Sequence, residues 1–235
     1  MVKTPLSKRG ARPYQREVEL ATPPRLQLDF YENCVVVTRR KFGRWTSYPI
    51  NPAALASVLG KLPASSGLLP PNTLATGLRN GRPFYVVYVP ARTIRIQVEH
   101  GSRLQIWTIP TPPLVWSGCI ESFHIWALAS HEFPASEETI LYNAPFPNVF
   151  PNASICWGSS DGRAPAAPAT LMKTLDLFLT GSRFSPHAAA GKSQLATSNV
   201  LGMLSRLNEQ GATEYPLDDL VPHPTSFASV LRGQL

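Results

Sequence analysis

One run of the chain carries residues suited to covalent chemistry: Phe146-Pro147-Asn148-Val149-Phe150-Pro151-Asn152-Ala153-Ser154-Ile155-Cys156. It sets an Asn eight residues before a Cys and contains two Pro-Asn pairs. Pro fixes φ and Asn tolerates tight backbone geometry, so the run reads as a structured loop, not a helix or strand. Such a loop can hold a side-chain amide beside a thiol. A thiolate is a strong nucleophile, and an amide N–H can stabilise the oxyanion that forms when a thioester is attacked.

Each candidate also has a plainer reading. A Cys after an Ile is often a small buried hydrophobe. Cys156 instead follows a Pro-Asn loop and precedes Gly158, which favours the partial exposure of a reactive thiol. Cys34 and Cys119 lie in apolar, strand-like contexts and read as structural. Asn148 is either a turn residue only or a functional one that donates its amide to the oxyanion or holds the loop that does. His187, in Ser185-Pro186-His187, suits deprotonation of the thiol or of an incoming amine; otherwise it is a surface His. Asp161 reads as a turn residue, with orientation of an amine as its functional alternative. Ser154, Trp157 and Gly158 would shape the pocket, and Trp157 would serve equally well in a core. His100, His124, His131 and His223 show no ligand spacing, so no metal and no cofactor is expected.

The elements that must position these residues follow from periodicity. Residues 26–50 read as two or three short strands. Residues 52–59 read as a helix with Asn51 as N-cap and Pro52 at the first position. Phe84 to Val89 is an apolar strand. Thr93 to Glu99 alternates, with Ile94, Ile96 and Val98 on one side, and Leu104 to Trp107 returns. Pro110-Thr111-Pro112-Pro113 interrupts, and Leu114–Trp116 with Phe123–Leu128 suggests a hairpin. Two helices are expected after the Cys, over 170–179 and 193–209. Strands first and helices last indicate an α+β fold with an antiparallel sheet.

The loop resembles the active-site segment of ubiquitin-conjugating enzymes, in which His-Pro-Asn, a short loop and an Ile precede the catalytic Cys. Pro147, Asn148, Ile155 and Cys156 match, and Phe146 replaces the His, which is largely structural in that family. Tyr142-Asn143-Ala144-Pro145, Cys156-Trp157-Gly158, Phe178 and Gly181-Ser182-Arg183-Phe184-Ser185-Pro186-His187 sharpen the match. Together they resemble the PRTRC system protein B group, the group D prokaryotic ubiquitin-conjugating-like family. That family carries a different His beyond the Cys, at the position of His187. The resemblance implies an antiparallel β-meander followed by helices, with an N-terminal extension. The proline segment is similar to the one that follows that meander, which would make the 114–128 hairpin an insertion or a variant edge. Implied catalytic residues are Cys156, Asn148 and His187. Implied partners are a ThiF-like activating protein, a ubiquitin-like modifier and a JAB-type isopeptidase of the same plasmid cassette.

These features divide the chain into a basic flexible arm (1–24), a strand and helix region (25–80), a ubiquitin-conjugating-like domain (81–210) and a C-terminal tail (211–235). Apolar residues make up 43%, enough for a buried core, and no apolar window reaches the roughly 18 residues of a membrane span. Residues 1–20 lack the apolar segment of a secretory signal. Three irregularly spaced Cys do not make a disulfide framework, and a free thiol suits a reducing cytoplasm. Residues 1–45 carry 10 Lys and Arg against 4 Asp and Glu, most of the net +7. That excess suits an acidic protein face or a phosphate backbone, or marks a solvated arm.

Two further function classes stand beside acyl transfer. One is a binding module that keeps the fold without conjugation and associates with DNA. The other is a Cys–His hydrolase, which needs the thiol in contact with an oriented imidazole.

Overall fold

The computed structural model describes residues 26–41, 44–59, 68–100, 103–158 and 164–235. The arm over 1–24 and Asp161 lie outside the described residues. The chain forms two compact units that divide between residues 65 and 66.

In the first unit β1 (Leu26–Phe30), β2 (Val35–Lys41) and β3 (Arg44–Ile50) form an antiparallel sheet in that order. The β-branched Val35 and Val37 are buried in it. α1 (Pro52–Leu59) follows, and Asn51 caps it: Ala53 N–H donates to Asn51 Oδ1 at 2.8 Å. β3 presents Trp45 and Tyr48 to solvent. The guanidinium of Arg40 lies 6.0 Å from the Trp45 ring centre, and that of Arg39 lies 5.5 Å from the Tyr48 ring centre.

The second unit is built on β4 (Thr73–Arg79), β5 (Arg82–Val89), β8 (Leu114–Cys119), β9 (Ser122–Ala127) and β10 (Tyr142–Asn143). They form one antiparallel sheet ordered β10-β9-β8-β5-β4. Asn80 and Gly81 join β4 to β5 with φ of 52° and 74°, the left-handed pair a tight hairpin demands. β6 (Thr93–His100) and β7 (Arg103–Pro110) stand apart as a ribbon, joined in parallel to β6 by β11 (Arg183–Phe184).

The 114–128 hairpin therefore lies inside the main sheet and is not an edge. The reason lies in polarity. β8 is buried at every position, and only Ser122 of β9 is exposed. β6 carries exposed Arg95 and Glu99, and β7 carries exposed Leu104 and Ile106. A strand with one wet face cannot sit in a sheet covered on both faces. Ile94, Ile96 and Val98 do share the buried face, as their alternation indicates.

One face of the main sheet packs Trp116, Phe123 and Ile125 with the ribbon and the following helices. α2 (Leu171–Asp176) runs into a wide π-helical turn, Leu177–Gly181, and buries Leu171, Leu175, Phe178 and Leu179. The expected helix over 193–209 begins only at α3 (Leu201–Glu209). The buried carboxylate of Asp219 holds the residues before it in turns, accepting from Ser193 Oγ at 2.8 Å and from Leu195 N at 2.8 Å. Such local side-chain bonds compete with helix. The opposite face packs Phe84, Val86, Val115 and Trp126 with Phe227 and Val230 of α4 (Phe227–Leu231). The α+β class with antiparallel sheets, expected from the sequence, is the observed one.

Candidate active-site loop

The Pro-Asn run folds back on itself beside β9. Val149 and Ile155 form an antiparallel bridge, and Phe150 N donates to Ser154 O at 2.8 Å. The turn between them uses Ala153 with φ 64°, and Asn152 Oδ1 accepts from Ser154 N at 3.1 Å and Ser154 Oγ at 2.7 Å. The outer edge of β9 anchors this hairpin: Ile125 N donates to Ala153 O at 3.0 Å and Ile155 N to Phe123 O at 3.2 Å. β10 takes the remainder of that edge, at Trp126 and Ala127.

Cys156 leaves the hairpin with its N–H donated to Asn148 O at 2.7 Å. It is partly exposed, whereas Cys119 is buried. Asn148 adopts φ 58°, the left-handed conformation Asn tolerates better than most residues. Its backbone N–H donates to His187 O at 3.0 Å, and its Nδ2 donates to Arg183 O at 3.0 Å. That bond uses one amide proton. The second has no protein partner among the described residues. Asn148 thus holds the loop and keeps a donor.

The structure joins Cys156 and Asn148 through one backbone bond, and Asn148 and His187 through another. The exposed His187 ring sits edge-on to Phe150, centroids 5.7 Å apart. Among the described residues no hydrogen bond joins it to the Cys156 thiol or to a carboxylate, so the contact a Cys–His hydrolase needs is not made. Trp157 is core: it packs edge-on to Phe123 at 5.8 Å and Phe178 at 6.0 Å. A polar cleft of about 440 Å³ lies beside the loop, lined by Asn148, Trp157, Gly158, Ser182, Arg183 and Glu99 among others.

Phe146, where the resemblance expects His, is 1% exposed and stacks on Phe184 at 6.2 Å. Two side chains not singled out from sequence bind the loop from behind. Lys192, only 4% exposed, donates from Nζ to Phe146 O at 2.6 Å and Val149 O at 2.5 Å. Burial pushes its ammonium down to about 7. His223 Nε2 lies 2.9 Å from Pro151 O, while its Nδ1 accepts from Thr225 N at 3.0 Å, so Nε2 carries the proton and donates. Burial lowers its basicity, against the opposing pull of that carbonyl. The one sequence signal for Lys192 is a lone cation in the small-residue stretch Ala188-Ala189-Ala190-Gly191-Lys192. Among the described residues no three His, Cys, Asp or Glu side chains gather as a metal site requires, and no helix is long and apolar enough to cross a membrane.

Residues 53–223 match the model of prokaryotic E2 family D, a span containing the loop, Lys192 and His223. No curated protein and no solved structure matches the chain. The chain belongs to prokaryotic E2 family D, a ubiquitin-conjugating-like family.

Proposed function

We propose that this member of prokaryotic E2 family D carries a ubiquitin-like modifier as a thioester on Cys156 and passes it to an amine. The observation that supports it most is a partly exposed thiol whose backbone N–H is fixed on the carbonyl of a left-handed Asn148. The Cys156 thiolate attacks the modifier's C-terminal carbonyl on the activating protein and displaces that protein's thiolate. An amine then attacks the new thioester. The free N–H of Asn148 faces the oxyanion, His187 takes the amine's proton, and collapse of the adduct expels the Cys156 thiolate. A ThiF-like activating protein and a ubiquitin-like modifier supply the acyl group, and a JAB-type isopeptidase would reverse the product. The group this reading fits best is PRTRC system protein B.

The test mixes the protein with the activating protein, the modifier and ATP on a non-reducing gel. A thiol-sensitive adduct that vanishes in Cys156→Ala is expected, with a reductant-resistant adduct in Cys156→Ser. No adduct beside a charged activating protein sinks the reading.

A second reading draws on the first unit. Exposed Trp45, on one face of β3 beside Arg40, suits stacking of a base next to a phosphate backbone. It describes a DNA-associated module. Binding of single-stranded DNA that persists at physiological salt and weakens in Trp45→Ala supports it, and its loss at that salt removes it.

A further inference from the structure

The turn Phe146-Pro147-Asn148-Val149 places Pro at its second position and a left-handed Asn at its third, the pattern of a type II turn. Such a turn is ordinarily closed by the fourth N–H bonding the first carbonyl. Residues 147 and 148 form that turn. The Phe146 carbonyl also accepts from Lys192 Nζ, at 2.6 Å, and the same nitrogen reaches Val149 O at 2.5 Å.

Lys192 therefore spans the first and last residues of the turn and encloses Pro147 and Asn148 between its two bonds. No carboxylate compensates it: the ion pairs among the described residues are Arg92–Asp176 and Arg232–Glu137. A buried amine satisfied only by two loop carbonyls is held to them, because leaving either bond unmade strands a polar group in the core. The backbone transmits the restraint. Asn148 O accepts from Cys156 N, so a shift of the turn moves the thiol.

We propose that Lys192 is a positioning residue for Cys156: its side-chain nitrogen braces the Phe146–Val149 turn from inside the core and so fixes Asn148 and the Cys156 backbone bonded to it. The catalytic consequence rests on the reading of Cys156 as an acyl carrier; the clamp itself does not.

The experiment compares wild type with Lys192→Met by amide hydrogen exchange and by thioester formation with the activating protein, modifier and ATP. Exchange at the Asn148 and Cys156 N–H groups quickens about tenfold or more in the variant, while β5 and β8 amides keep their protection. Thioester formation slows roughly ten- to hundredfold at saturating activating protein, with the half-saturating concentration unchanged. Lys192→Arg, which keeps a cation with donors, recovers part of both. Equal exchange at Asn148 and Cys156 in the two proteins overturns the proposal. So does a variant whose half-saturating concentration alone changes. A wild type that forms no thioester yet shows the exchange difference removes the acyl-carrier reading and upholds the clamp. Should Lys192→Met not fold, hydrogen-bond scalar couplings from Lys192 Nζ to the carbonyl carbons of Phe146 and Val149 decide the matter in the unaltered protein. Their presence supports the clamp and their absence overturns it.

Discussion

Asn148 performs two tasks that separate by substitution. Its left-handed backbone is needed for the turn, and its amide holds Arg183 O at 3.0 Å. Asn148→Gly keeps the first and deletes the second. Transfer of the modifier to amine is expected to fall about 10²–10³-fold in that variant, read as single-turnover discharge of preformed thioester. Discharge at the wild-type rate would leave the amide no chemical part. Phe146 shows a different logic. Its carbonyl binds Lys192, while its ring stacks in the core. Phe146→His, which completes a His-Pro-Asn triplet, places an imidazole against Phe178 and Phe184. Urea unfolding should show a loss of roughly 1–3 kcal/mol. The closeness of Cys156 and Asn148 was legible in the sequence because a loop of eleven residues is local. Lys192 was not, since it lies 46 and 43 residues beyond its two acceptors.

At the scale of elements, alternation read correctly in β6, a strand with one wet face, but not in β1, where Leu26 and Phe30 are exposed. It could not rank strands within the sheet. The apolar runs of β8 and β9 signalled burial, yet only burial on both faces makes them central. The second helix after Cys156 was overextended because its first eight residues look helical locally. Asp219, far along the chain, accepts their donors instead. The C-terminal α4 shows how tightly the back face closes. Gly233 has φ 67°, and a Cβ there would meet Phe84 Cε1 at 2.8 Å. Gly233→Ala should therefore cost about 1–3 kcal/mol, measured as a lower Tm, through backbone strain and overpacking together.

For the molecule as a whole, two buried bases give stability the same pH sign. Burial, then the charge of Arg79, lowers His124 to about 4. The unfolded chain takes up that proton near 6.5, so this group's stability is full above 6.5 and is lost as pH falls toward 4. Lys192 acts likewise higher up: its stability is full above the ordinary 10.5 and declines as pH falls toward 7. Urea midpoints should drop between pH 6.5 and 4.5, and His124→Phe should flatten that decline by roughly 1–3 kcal/mol. The hairpin that leads into Cys156 also closes a sheet edge. With β10 it covers the outer edge of β9, whose apolar run Phe123-His124-Ile125-Trp126 would otherwise offer free backbone groups to a second chain. A variant in which the hairpin detaches is then expected to assemble into thioflavin-positive fibrils and not to persist as a dispersed, inert monomer; the residues that lead into the thiol are also the guard against self-templated polymerisation.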